Sequence, residues 1–338
     1  QRLEGAYWSG GRHMLVNHNG MNCGVDWMGM AQHDLANVAT ILLDPSNFPS
    51  LADRAQQGFL NFLYVGRAMI HPQGLSSHEA FKGTGGGSVI DTDELFYDGN
   101  SQGAIMGGAV TALAPDFTKA VLGVPGMNYS TLLNRSVDWE GEDLGPDNQD
   151  LAYSQPLYEM FPDPAERQLL FSLLQMLWDR AESNGYAHHM TDDPYDNTPA
   201  HQVLLHVGYG DFQVANIAAE VQARTIGARV LENSVPTRHW AVDPFVGLDP
   251  FVGGHRGSAL VYFDSGNLTP PNSNLPPAYI GSDPHNDPRN DVLGGIQKAK
   301  FYETGVILDT RHGEPYWHAR CTAEGQPVPC PDGHTDAR

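Results

Sequence analysis

Positive charge is scarce in this chain. Nineteen Lys and Arg face 40 Asp and Glu, giving a formal net charge of −21, and lysine occurs only as Lys82, Lys119, Lys298 and Lys300. Such a surface repels phosphate backbones and argues against nucleic-acid binding. Its plain consequence is solubility. No apolar run of about 18 residues exists, so no membrane-spanning helix is expected. The chain opens at Gln1 without a basic-then-apolar signal segment, as a chain with its leader removed or a fragment would. Cysteine is also rare. Cys23 stands alone in the apolar run Met21–Met30 and reads as a buried thiol. Cys321 and Cys330 bracket the segment TAEGQPVP, and their spacing suits a small disulfide loop in an exported protein, secreted or periplasmic. Two unpaired thiols in a cytoplasmic protein is the competing reading.

Cofactor signatures are missing as well. Gly83–Gly87 lacks the Lys of a phosphate-binding loop and the G-x-G-x-x-G spacing, so it reads as a flexible connector. His188-His189 and Asp192-Asp193 match no helix or loop ligand spacing for a metal and read as a solvated edge. Neither a metal nor a cofactor is expected.

What is present is enough apolar material, 41% of 338 residues, for a large core. Arg12–Val16 ends at Asn19-Gly20, as a helix and its cap would. Met21–Asp26 reads as a short buried strand. Asp34–Leu43 and Leu51–Met69 read as helices, the second buried on more than one side through Phe59, Leu60, Phe62, Leu63 and Val65. Glu94–Asp98 reads as a strand, Gln102–Leu113 as an apolar helix and Ala120–Val124 as a buried strand. Residues 127–200 change character, with acidic loops around one strong helix, Pro164–Glu182, and read as an insertion over a site. Gln202–Val207 and Ala259–Phe263 read as strands, Val214–Ile226 and Val292–Glu303 as helices. Short apolar strands alternating with helices predict an α/β fold, a mostly parallel sheet with helices on both faces.

The segment carrying chemistry is Leu95-Phe96-Tyr97-Asp98-Gly99-Asn100-Ser101-Gln102-Gly103-Ala104. It contains G-x-S-x-G with an aromatic-rich strand before it and a small-residue helix after it. A serine at a strained strand-to-helix corner is crowded by its neighbours, and Gly99 and Gly103 remove side chains that would collide there. The helix start supplies N–H groups for a developing oxyanion, first that of Gln102. On these residues the chain resembles the α/β-hydrolase superfamily, in particular bacterial esterase- and lipase-like serine hydrolases with the turn G-N-S-Q-G. The resemblance spans roughly residues 21–305 and rests on local motifs.

The resemblance implies a triad in chain order Ser, acid, His. Asp211 lies in a Gly-rich turn just past Gln202–Val207, where the superfamily keeps its acid; Asp243, Asp249 and Asp264 compete less well. His285, in a D-P-H segment after Ala259–Phe263 and before the last helix, takes the place of the base. His239, His255, His312, His318 and His334 also follow Asp211, whereas His206 sits inside a strand as a core histidine. The implied organisation is residues 1–126 for the first part of a hydrolase core, 127–200 for a helical lid, 201–305 for the second part of the core, and 306–338 for a tail. The implied activity is cleavage of a small-molecule or lipid-like carboxylic ester by Ser101, Asp211 and His285. An amidase or peptidase with the same triad and a non-catalytic binding protein on the same fold are the alternatives. Such a fold needs strands before the nucleophile strand and a loop donating a second oxyanion N–H. With only Met21–Asp26 upstream of Ser101, both are expected before residue 1, with His18–Gly20 as the competing donor loop.

Overall fold

The computed structural model describes residues 17–140, 153–236, 243, 245–275 and 283–311, with the short pieces 322–323 and 326–327. Cys321 and Cys330 lie outside the described residues. So does the expected helix Arg12–Val16.

Six strands form one sheet: β1 (Tyr97–Asn100), β2 (Lys119–Gly123), β3 (Gln202–Gly208), β4 (Arg229–Leu231), β5 (Pro250–Phe251) and β7 (Ala259–Phe263), in the order β1-β2-β3-β7-β4-β5. Every pairing in it is parallel. A parallel sheet is covered on both faces, so its strands run as continuous apolar segments. The fully buried ALVYF of β7 and the buried VLLHVG of β3 follow that rule. β6 (Gly254–Arg256) and β8 (Val306–Leu308) form a separate antiparallel ribbon.

The helices around Ser101 include α1 (Leu35–Leu43), α2 (Pro49–Ile70), α3 (Gln102–Ile105), α4 (Gly107–Leu113) and α5 (Pro164–Trp178). Two more, α6 (Asn216–Thr225) and α7 (Val292–Thr304), follow β3 and β7. The larger apolar core joins α2, α4 and α6 to one sheet face. A smaller one, with Phe263, Phe301, Tyr302 and Ile307, covers the other. No described helix is long and apolar enough to cross a membrane.

The structure departs from the sequence reading in instructive places. Met21–Asp26 forms no strand and joins no ladder among the described residues. Its Gly and polar residues leave little apolar surface to bury, and Met21 stays exposed while Cys23 is a free, half-buried thiol. The expected helix Gln102–Leu113 is broken at Met106 into α3 and α4. Ser183 Oγ donates to the Ile105 carbonyl at 2.5 Å, and the Ala109 N–H turns to Met106 instead. α5 stops at Trp178 rather than Glu182, and just past it the Ala181 N–H turns to the Trp178 carbonyl at 2.6 Å in a tighter turn. β4 and β5 lie beyond β7 in the sheet, where the sequence reading placed no strand.

Candidate active site

Ser101 directly follows β1, with φ 56° and ψ −126°. A non-glycine residue with positive φ is uncommon and costs of order 1–3 kcal/mol, so it persists only where its surroundings over-determine it. Here they do. The Ser101 N–H donates to the Gly123 carbonyl of β2 at 2.9 Å, and its own carbonyl accepts from Ala104 and Ile105. A Cβ on Gly99 would stand 2.2 Å from the Gly103 carbonyl oxygen, so only glycine permits the approach. The Tyr97 hydroxyl donates to that same oxygen at 2.5 Å. Next door, Val124 also has positive φ, 45°, and donates its N–H to the His206 carbonyl at 2.6 Å. The backbone is therefore bent sharply at the ends of both β1 and β2.

Asp211 follows β3 by three residues, and its carboxylate faces His285 Nδ1 at 2.8 Å (Oδ2) and 3.0 Å (Oδ1). Both residues are buried, at 2% and 3% exposure, so solvent does not screen the contact. Oδ1 also accepts the Gln213 and Val214 N–H groups at 2.8 and 2.9 Å, which fixes the carboxylate plane. A carboxylate facing a ring nitrogen accepts, so Nδ1 is the donor of this contact. His285 sits in a short turn, Pro284–Asn286, capped by Asp283, whose Oδ1 accepts the His285 and Phe212 N–H groups at 3.1 and 3.2 Å. Burial, with Asp211 close by, raises the Asp283 pKa. A Cβ on Gly208 would lie 2.8 Å from the Pro284 carbonyl, so the histidine turn crosses directly over the end of β3.

All strands of the sheet run in the same direction, so Ser101, Asp211 and His285 share one edge. The serine backbone is tied to the end of β2 and the histidine turn lies over the end of β3, its neighbour about 4.8 Å away. Asp211 and His285 are in contact. Among the described residues Ser101 makes no hydrogen bond to the imidazole, a contact that tightens in many enzymes only with substrate bound. Of the other histidines, His206 is fully buried in β3, its Nε2 2.8 Å from Gln297 Oε1, as expected of a core residue. His255 belongs to the β6–β8 ribbon.

Beside Ser101 opens a cavity of about 290 Å³. Its walls come mainly from α1, from the start of α2, and from described residues between Tyr129 and Trp178. Gln102 lies on this wall, and its side chain is held at both ends: Oε1 accepts from the Tyr129 hydroxyl at 2.7 Å, and Nε2 reaches Met30 Sδ at 3.2 Å. Tyr129 stacks on Trp178, with ring centroids 4.2 Å apart. Its backbone is anchored by Glu182, which is fully buried and accepts N–H groups from Asn128 and Asn184 at 3.0 and 2.7 Å and from Gln175 Nε2 at 2.8 Å. Burial pushes the Glu182 pKa up to about 7, against the pull of these donors. Opposite, Asp34 accepts from the Gly29 and Ala31 N–H groups and from Arg54 Nε at 2.7 Å, and so shapes the loop carrying Met30. Burial works to raise the Asp34 pKa, but these partners overcome it and the pKa lies below the usual carboxylate value.

The expected segment His18–Gly20 does not border this cavity; His18 Nδ1 pairs with Glu303 on α7 at 2.9 Å. The sequence reading also missed Asp283, Tyr129 and Glu182. Only Asp283 left a local trace, since an Asp two residues before His285 is a capping signal. Tyr129 and Glu182 meet across 53 residues and leave none. His188, His189 and Asp193 do converge, their ligand atoms within 4.8 Å of one another. The His189 Nδ1 is already 2.5 Å from the Asp193 carbonyl. Comparisons with protein-family models, curated proteins and solved structures find no match to this chain.

Proposed function

We propose that the chain is a serine hydrolase of the α/β-hydrolase type that cleaves carboxylic esters through an acyl-enzyme, with residues 127–200 as its lid. The observation that carries this reading is the buried, two-pronged Asp211–His285 contact on the sheet edge where Ser101 adopts its strained turn. Serine alone is a weak nucleophile at neutral pH and needs a base, which in turn needs an orienter. In this reading Ser101 Oγ attacks the acyl carbon while His285 Nε2 takes its proton. Asp211 holds the tautomer and stabilises the imidazolium. The Gln102 N–H, which makes no hydrogen bond among the described residues, donates to the oxyanion. The protonated His285 then delivers its proton to the leaving alcohol. Water repeats the sequence and releases the acid.

Ser101→Ala is expected to remove hydrolysis of a short-chain p-nitrophenyl ester, a loss on the order of 10⁶ in kcat, while the circular dichroism spectrum is retained. A fluorophosphonate probe should label the wild type at Ser101 only. Activity of the alanine variant within tenfold of wild type sinks the proposal. Faster cleavage of the matching p-nitroanilide than of the ester would shift the reading to an amidase.

A further inference from the structure

The cavity beside Ser101 has a chemical character of its own. Its wall includes Leu35, Ile41, Leu132, Leu157, Phe171 and Leu174 and, among the described residues, no Lys, Arg or His. The one carboxyl among its described residues, Asp138, is solvent-exposed, which places it at the rim. A dry apolar cavity of about 150 Å³ holds one benzene ring. At about 290 Å³ this one has room for on the order of twelve carbon atoms. Ser101 and Gln102 both lie on its wall, whereas His285 does not.

That asymmetry decides which half of an ester enters. Acylation leaves the acyl group bonded to Ser101 Oγ, while the alcohol oxygen must receive a proton from His285 Nε2. The departing alcohol therefore belongs on the imidazole side, outside the chamber. We infer that the chamber is an acyl-chain site, and that the preferred substrates are esters of uncharged, apolar acids of about eight to twelve carbons. This inference rests on the proposed hydrolase reading. A carboxylate at the far end of the acyl chain would have to be buried with no cationic partner, which is strongly disfavoured.

Two length series test it. In p-nitrophenyl esters from acetate to hexadecanoate, kcat/KM should rise about 10² or more between four and ten carbons and then stop rising, because each methylene buried in a hydrocarbon site adds about two- to fourfold. In acetates of alcohols from ethanol to decanol it should change less than about threefold. A decanoate ester bearing a terminal carboxylate should react at least 10² more slowly than the plain one. Leu42→Trp, filling the wall, should lower the decanoate-to-acetate ratio by more than tenfold. Binding is read separately in Ser101→Ala, where 1-decanol should quench tryptophan fluorescence saturably through Trp139 and Trp178 on the wall. Ester hydrolysis with a flat acyl series and no quenching overturns the acyl site while leaving the Ser101 reading intact. Saturable quenching that Leu42→Trp abolishes, with no ester hydrolysed by the wild type, supports the chamber and overturns the hydrolase.

Discussion

In its strained conformation Ser101 is itself tied through its backbone. Its N–H is spent on Gly123 and its carbonyl on the following turn, so the side-chain oxygen carries none of the fold's bonds there. That separation is why Ser101→Ala should leave stability nearly unchanged, and why Gly99→Ala should not. The added methyl would meet the Gly103 carbonyl at 2.2 Å and its carbon at 2.7 Å, both rigid backbone. We expect a loss of about 1–3 kcal/mol in urea titration, with kcat falling about 10² because the turn can relax only by moving Ser101. Gly85→Ala is the control: nothing lies within 4 Å of its Cβ, and it should cost under about 0.5 kcal/mol. At Asp211 the two effects separate differently. Asp211→Asn can keep the Gln213 and Val214 N–H bonds through its remaining oxygen, so the fold should survive. Its amide faces Nδ1 with a donor or a neutral acceptor, and kcat should drop by about 10³ or more. Asp283→Asn, which keeps the cap, should cost far less. If Asp283→Asn is the damaging change, the acid has been misassigned.

At the scale of elements, the interior strands were the legible part of the sequence, whereas β1 starts three residues later than the expected Glu94–Asp98. β3 and β7 are apolar without interruption because both faces are covered, and they appear within a residue of their expected ends. The contact of Asp211 with His285 joins two polar, turn-forming segments that the sequence does show, Asp211 three residues past β3 and His285 at the end of the long loop after β7. β4 and β5 were not, being two or three residues long and containing Arg229 and Pro250. Nor was the break at Met106, which depends on Ser183, 78 residues from its partner Ile105. The expected strand Met21–Asp26 failed because an apolar-looking run needs a partner to become a strand. How elements cross decides the site too. The turn holding His285 passes over the end of β3 only because residue 208 has no side chain. Gly208→Ala should displace Pro284 and its neighbour His285, lowering kcat at least tenfold. An unchanged kcat with normal stability would show that the turn can shift without moving the imidazole.

Across the whole molecule, two fully buried titrating groups pull stability in opposite directions with pH. His206 has its pKa lowered from 6.5 to about 3, by burial first and then by the Lys298 charge. The folded state keeps it neutral, so the unfolded chain takes up the proton first as acid is added. Its contribution is complete above pH 6.5 and is lost as pH falls from 6.5 towards about 3. Glu182 has its pKa raised from 4.5 to about 7 by burial. Here the folded state holds the proton longer, so the contribution is complete below pH 4.5 and is lost as pH rises from 4.5 to about 7. Between pH 4.5 and 6.5 the two slopes oppose and largely cancel. Removing one group should expose the other. His206→Asn removes the titrating imidazole, and with it the acid-side loss, at the cost of the Nε2 contact to Gln297. The gap between the wild-type and His206→Asn melting temperatures should therefore narrow, or change sign, as pH is lowered from 7 to 4. Glu182→Gln removes the opposite slope, so its gap to wild type should narrow as pH rises from 4.5 to 7. Taking each variant against wild type at the same pH cancels the titration of the exposed carboxylates that give the chain its charge of −21. A pH-independent gap for His206→Asn would mean that the buried imidazole is protonated as readily in the folded protein as in the unfolded chain.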